Sequence, residues 1–72
     1  MNGYQELAAA IVLQAVKDYR TAVRRKKRDP GNRGARMRIR ECERFFRSRW
    51  YGMLTDIDPE EVIRALREEV RK

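Results

Sequence analysis

Histidine is absent from this sequence of 72 residues, and cysteine occurs once, at Cys42. One chain therefore holds too few histidine and cysteine ligands for a structural zinc site, and it has no Cys–His pair for nucleophilic catalysis. A single cysteine also excludes an internal disulfide, which fits a reducing cytoplasm. Because Cys42 falls among apolar residues at helical spacing, we interpret it as a small buried hydrophobic residue.

Long apolar runs and targeting signals are missing as well. No run of about 18 apolar residues occurs, so we expect no membrane-spanning helix. The segment after Met1 lacks the basic start and the apolar centre of a signal peptide. No enzyme motif is found, since the acidic residues are all interpreted as helix caps or ion-pair partners. We therefore expect a cytoplasmic, non-enzymatic protein without a cofactor.

Apolar residues recur at steps of three and four along most of the chain, which predicts an all-α fold. The two prolines, Pro30 and Pro59, divide this pattern into three parts. We predict three helices within a single domain of residues 1–72, at about residues 4–28, 33–54 and 59–71. Since the first connection is short, the first two helices should form a long antiparallel hairpin. The short third helix then completes a three-helix bundle.

Each predicted helix start has a local signal. Asn2 and Asn32 are candidate N-caps of the first and second helices, and Gly31 supplies a positive φ in the turn between them. Asp58 followed by Pro59 is the pattern expected at the start of the third helix. Exposed ion pairs are expected within that helix at Glu60–Arg64, Arg64–Glu68 and Glu68–Lys72.

Apolar stripes predict which helix faces are buried, and the longest stripe belongs to the second helix. The alanine-rich stripe of the first helix allows a partner helix to approach closely. We expect the third helix to fold back on the half of the hairpin nearest Trp50. A core of this size rarely supplies more than about 3–5 kcal/mol, which leaves a homodimer open. The predicted core consists of Ala8, Ile11, Val12, Ala15, Val16, Tyr19, Ala22, Val23, Ala35, Ile39, Cys42, Phe45, Phe46, Trp50, Met53, Leu54, Val62, Ile63, Leu66 and Val70.

Net charge is concentrated in the middle of the chain. Residues 24–40 carry nine positive side chains and one negative, a net charge of +8, within a total of +7. An antiparallel hairpin places this segment at one end of the molecule, and the third helix is expected to be too short to cover it. Like charges one helical turn apart, such as Arg24 and Arg28, are unfavourable in the free protein. An anionic partner would relieve that repulsion.

This charge pattern predicts a surface that binds nucleic acid through its phosphates. Arginines continue along the second helix, where Tyr51 is available to stack on a base. An acidic protein surface is the alternative partner, and a solvated charge cluster without a partner is the third interpretation. The residues assigned to the surface are Arg24, Arg25, Lys26, Lys27, Arg28, Arg33, Arg36, Arg38, Arg40, Arg44, Arg47 and Tyr51.

Three segments carry a resemblance to a known group of proteins. They read AIVLQAVKDYR from Ala10, ERFFRSRWYGMLTDID from Glu43 and VIRALREEV from Val62. The chain resembles small uncharacterised proteins encoded by phages and prophages of Gram-positive bacteria, with the pattern AIVxQAVxDYR, FFRSxWxxxLTxxD and LIRxLREE. That group often reads GEYLI where this chain has PEEVI.

The resemblance implies a setting and a range of functions. The setting is the cytoplasm of a bacterial host cell during phage growth or lysogeny. Phage accessory proteins of this size include nucleic-acid binders, transcription modulators and inhibitors of host defence such as anti-CRISPR proteins. The alternative function is therefore a protein-binding inhibitor of a host or defence protein that uses the same basic surface. The resemblance implies no catalytic residue.

Overall fold

The structure, a computed structural model, describes residues 3–71, and these residues form four helices and no strand. The fold is all-α, as predicted. The helices are α1 (Gly3–Arg28), α2 (Arg33–Phe46), α3 (Arg49–Leu54) and α4 (Pro59–Arg71). Asn2, a predicted N-cap, and Lys72, a predicted ion-pair partner, lie outside the described residues.

The first helix, α1, is the scaffold of the molecule. Its 26 residues span about 39 Å at the usual helical rise, which accounts for the long dimension of 42 Å. The other three helices all pack against it. Its buried side chains are Ala8, Tyr19 and Ala22, so small residues flank one large aromatic ring. None of the helices within residues 3–71 is both long and apolar enough to cross a membrane.

A short turn joins α1 to α2, which makes them antiparallel neighbours as predicted. The Asn32 N–H donates to the carbonyl of Asp29 (3.0 Å), and the Asn32 side chain accepts the N–H of Ala35 (3.0 Å). Asn32 is therefore the N-cap of α2, as predicted. Gly31 does not adopt a positive φ, contrary to the prediction. Its N–H donates to the Asp29 carboxylate instead (3.3 Å), and the turn closes without a left-handed residue.

The predicted helix over residues 33–54 is interrupted at Arg47 and Ser48, so this prediction was wrong. The Ser48 hydroxyl donates to the carbonyl of Phe45 (2.6 Å) and accepts the N–H of Tyr51 (3.2 Å). Ser48 thus ends α2 and acts as the N-cap of α3. Serine competes for backbone hydrogen bonds in this way, which is why it favours helix ends over helix interiors.

The interruption changes which residue of α3 faces the core. Tyr51 is 2% exposed, and its ring meets the rings of Phe45 and Phe46 edge-on at centroid distances of 5.9 and 5.7 Å. Trp50 and Met53, which were predicted to be buried, are 49% and 62% exposed. A continuous helix would have kept these two residues on the stripe of Phe46. Because the helix restarts after Ser48, residue 51 takes the buried position instead.

A polar network of three side chains connects the three longest helices. The Tyr19 hydroxyl on α1 donates to the Glu43 carboxylate on α2 (2.6 Å). Arg67 on α4 donates from Nε to the Tyr19 oxygen (2.9 Å) and from Nη2 to the same Glu43 oxygen. Since Glu43 is only 16% exposed, its charge depends on these partners.

The pKa shifts agree with this arrangement. Burial, together with the hydrogen bond to Glu43, raises the pKa of Tyr19 to about 12. Partial burial works to raise the pKa of Glu43, but hydrogen bonds from Tyr19 and Arg67 outweigh it and hold this pKa below its ordinary value. Hydrogen bonds to Tyr19 and Glu43 raise the pKa of Arg67. Folding therefore favours a neutral phenol, a carboxylate and a guanidinium at this point.

Helix α4 lies along the tip half of the hairpin, whereas the sequence predicted the half nearest Trp50. At its start, Glu60 accepts two hydrogen bonds from Arg47 at the end of α2 (2.8 and 3.1 Å). At its end, the carbonyl of Val70 accepts from Lys27 near the end of α1 (2.6 Å). Because α2 ends at Phe46, α2 and α4 have similar lengths, 14 and 13 residues, and lie side by side on α1.

The start of α4 follows the prediction, but its ion pairs do not. The Asp58 carboxylate accepts the N–H of Glu60 (2.9 Å), which is the predicted cap. Within residues 3–71, Arg64 makes neither of its two predicted pairs, and Glu68 pairs with Arg71 (3.1 Å). Most acids of this helix that form ion pairs therefore reach across to neighbouring helices.

Replacing tyrosine by phenylalanine should affect the free energy of unfolding differently at Tyr19 and at Tyr51. Tyr19→Phe removes a hydrogen bond to a carboxylate and should lower the free energy of unfolding by about 1–2 kcal/mol. Tyr51→Phe should leave that free energy unchanged or raise it by up to about 1 kcal/mol, because the buried Tyr51 hydroxyl has no hydrogen-bond partner within the described chain. Urea unfolding followed by circular dichroism measures both. A Tyr19→Phe variant as stable as the native protein would show that this hydrogen bond contributes nothing.

Acid should weaken the fold in part through Glu43. Its pKa is lower in the folded than in the unfolded chain, so its contribution is fully present above the ordinary value of 4.5. That contribution is lost as the pH falls through the lower folded value. Between about pH 7 and about pH 3, the native protein should therefore lose more free energy of unfolding than the Glu43→Gln variant. Urea unfolding at both pH values is the measurement, and identical losses would contradict the assignment.

Candidate nucleic-acid interface

The turn between α1 and α2 places the two most basic segments of the chain at one end of the molecule. α1 ends with five consecutive cations, Arg24 to Arg28, and α2 begins directly after the Asn32 cap. We call this end the hairpin tip. At the C-terminus of α1 the helix dipole favours positive charge, but at the N-terminus of α2 it opposes the charge of Arg33 and Arg36. The gathering of these cations therefore has an electrostatic cost in the free protein.

Helix α4 neutralises part of the tip. Glu69 pairs with Arg20 (3.1 Å) and Arg24 (3.6 Å) on α1. The Lys27 ammonium donates to the backbone carbonyls of Val70 (2.6 Å) and Arg71 (3.3 Å), which lie in the last turn of α4. Contrary to the expectation that the third helix leaves the tip bare, Arg24 and Lys27 are thus engaged within the protein. The reason is the shorter α2, which lets α4 reach this end.

Two further residues assigned from the sequence do not belong to a free binding surface. Arg47 pairs with Glu43 (3.6 Å) and Glu60 (2.8 Å), and the hydrogen bond to Glu60 raises its pKa. Tyr51 is buried among Phe45 and Phe46 and cannot stack on a base. Both differences follow from the break at the end of α2, because the break turns Tyr51 inward and brings the start of α4 beside Arg47.

Eight of the assigned cations remain exposed, and within residues 3–71 none of them forms a hydrogen bond or ion pair through its side chain. We call them the basic surface. Three lie at the end of α1 and five on α2, where four share one side of the helix and Arg38 lies on the flank that faces α1. They are Arg25, Lys26, Arg28, Arg33, Arg36, Arg38, Arg40 and Arg44.

On α2 the basic surface forms a row on the solvent-facing side. Arg33, Arg36 and Arg40 surround the exposed side chain of Met37, and Arg44 lies one turn beyond Arg40. From the first to the last of these arginines the helix rises about 16 Å. The buried stripe of α2 occupies the opposite side of the helix. The packed helix therefore fixes the points at which the four arginine side chains are attached, in one row.

A cleft between α1 and α2 lies near the tip, and none of the four arginines of the row lines it. Its volume is about 380 Å³, and Arg25 and Arg38 line it from opposite helices. Asp18 also lines the cleft, and its carboxylate accepts a hydrogen bond from Gln14 (3.0 Å). Two guanidinium groups on the walls of a cleft suit an anionic group of a ligand. The sequence placed both arginines on the surface but did not indicate the cleft.

The opposite end of the molecule is apolar, which the sequence did not indicate. Tyr4 and Leu13 of α1 line a cavity of about 340 Å³ together with Leu54 and Ile57. Trp50 and Met53, displaced from the core by the break at Ser48, are also exposed at α3. One feature of the sequence could have pointed to this apolar surface: Leu7 and Leu13 fall outside the apolar stripe of the first helix. Basic and apolar surfaces therefore occupy different ends of α1.

Comparison with known proteins adds no further constraint. No family model matches the chain, and no curated protein and no solved structure matches it.

The ion pairs of Glu69 should keep Arg20 and Arg24 from binding a polyanion. Glu69→Gln should release Arg20 and Arg24 and raise the salt concentration at which the protein elutes from heparin. Glu61→Gln is the matched control, because it also adds one unit of positive charge to α4 but breaks no ion pair within the described residues. The Glu69 variant should elute later than the control. Coelution of the two variants would show that the Glu69 pairs do not restrict the cations.

Proposed function

We propose that this protein is a non-enzymatic nucleic-acid-binding protein and that the basic surface is its contact. One observation carries the proposal: eight exposed cations at the tip and along α2 form no ion pair within residues 3–71. Seven of them are arginines, whose planar guanidinium groups match phosphate geometry through paired hydrogen bonds. Phosphates of a nucleic acid would supply the counter-charge that the fold itself does not provide.

The energetic argument is the release of counterions. Each phosphate that is neutralised by an arginine or lysine frees a condensed cation, which yields affinity without regard to sequence. Binding also relieves the repulsion between like charges one turn apart, such as Arg36 and Arg40, and the unfavourable position of Arg33 at a helix N-terminus. Both contributions act on the same surface and in the same direction. The interaction should therefore be strong at low salt and weak at high salt.

The resemblance to phage and prophage proteins extends this proposal to a phage accessory protein in a bacterial cytoplasm, and both points stay predictions. An acidic groove of a host or defence protein is the alternative partner for the basic surface. The homodimer left open by the sequence also stays a prediction. Its natural location is the apolar end, where Tyr4, Leu13 and Ile57 are exposed.

Binding to DNA should depend steeply on salt. A plot of log affinity against log salt should have a slope of about −4 to −7 if a similar number of the eight cations contacts phosphates. Fluorescence anisotropy with a labelled oligonucleotide provides the measurement. Replacing Arg36, Arg40 and Arg44 together by Gln should weaken binding at low salt and reduce the magnitude of the slope by about 2–3.

A matched control distinguishes the effect of the basic surface on binding from the effect of net charge. Replacing Lys17, Arg49 and Arg64 together by Gln removes the same three charges from exposed positions outside the basic surface. This variant should bind nearly as well as the native protein. Equal losses in both variants, binding that is independent of salt, or no binding at low salt would overturn the proposal. A protein partner that is retained from host lysate after nuclease treatment would then favour the inhibitor.

A further inference from the structure

The aromatic side chains of this protein are almost entirely removed from the basic surface. Tyr19, Phe46 and Tyr51 are 2% exposed or less. Phe45 is half-buried, packs against the core that they form and lines a cavity together with Arg38. Adjacent rings in this cluster lie 5.7–5.9 Å apart, in edge-on or tilted contact. These rings hold the helices together and cannot open to a nucleotide base without unfolding the core.

Two aromatic residues are exposed, but neither lies among the eight cations. Tyr4 is in the first turns of α1, about 36 Å along the helix from Arg28. Trp50 lies on α3, beyond the break that ends α2. Proteins that bind single strands usually combine a basic groove with aromatic rings on which successive bases stack. The row of arginines on α2 supplies the positive charge, but the side chain among them is Met37 and no aromatic ring.

The arrangement of the cations favours a ligand with regularly spaced, dense charge. Arg33, Arg36, Arg40 and Arg44 are attached to one side of a packed helix, so the row that they form is straight and about 16 Å long. A double helix presents a phosphate charge per about 1.7 Å of its axis, against about 3.4 Å for one strand, and holds these charges in place. A straight row of arginines therefore has more phosphates within reach on a duplex than on a single strand.

We infer that the basic surface binds double-helical nucleic acid in preference to single strands. The cations contact phosphates of both strands, and the paired bases stay stacked. This inference rests on the proposed function and goes beyond it, since binding of nucleic acid through the same cations would also permit a single-strand mode. Duplex DNA and duplex RNA share the required phosphate rows, and the experiment distinguishes them.

The test compares the two forms of the same sequence. A labelled DNA strand longer than about 16 nucleotides is titrated with the full chain, alone and annealed to its complement, and the matching RNA forms are titrated in parallel. Salt is varied from about 50 to about 200 mM. The duplex should bind at least about tenfold more tightly than its own single strand, with the steeper salt dependence of the two. The duplex that binds more tightly, DNA or RNA, is the double helix that the basic surface prefers.

Each outcome has a separate meaning. Equal or tighter binding of the single strand would overturn the inference but leave the proposed function intact. Absence of binding to every form at low salt would overturn the proposed function and the inference with it. Tighter binding of either duplex supports the inference.

Two aromatic substitutions examine the stacking argument directly. Trp50→Ala and Tyr4→Ala alter exposed rings, so the variants should retain the helical circular dichroism signal. Neither substitution should change the affinity for duplex or single strand by more than about twofold, because these rings lie outside the basic surface. A loss of tenfold or more in either variant would show that a base stacks on that ring, and would overturn the inference.

Discussion

The contact of Tyr19, Glu43 and Arg67 is the constraint on which the arrangement of the helices depends. One carboxylate on α2 receives a hydrogen bond from α1 and an ion pair from α4, so the three longest helices meet at a single charged group. Apolar burial alone would allow α4 to slide along α1, because its buried side chains, Ile63 and Leu66, make no directional contacts. A mostly buried carboxylate needs its donors in fixed positions, and it therefore specifies the register.

That register decides which cations are left for a partner. With α4 held beside α2, its last turn reaches the tip, where Glu69 and the terminal carbonyls engage Arg20, Arg24 and Lys27. The four arginines of the row on α2 form no ion pair with α4 within the described residues and stay free. Helix α4 thus completes the core and forms ion pairs or hydrogen bonds with some of the cations, while the others stay available to a partner. Stability and the proposed binding surface are two consequences of one packing arrangement.

The break at Ser48 has an equally broad effect. It turns Tyr51 into the core, where the ring completes an aromatic cluster, and it leaves Trp50 exposed at the other end of the molecule. The basic surface consequently lacks a ring on which a base could stack. Periodicity could not reveal this, because an uninterrupted stripe from Phe46 to Met53 also satisfies the helical pattern. The serine was the available signal, and its capping hydrogen bonds were not anticipated.

The sequence by itself determined the features that neighbouring residues control. The all-α class, the turn before the Asn32 cap, the start of α4 at Asp58 and the concentration of charge in residues 24–40 all follow from local capping, helical periodicity and composition. Only the tertiary structure decided the register of α4 and the burial of Tyr51. The register of α4 depends on contacts between residues far apart in the chain, such as Glu43 and Arg67, whose relative energies no local pattern contains. The burial of Tyr51 depends on the break at Ser48, and helical periodicity alone does not distinguish that break from a continuous helix.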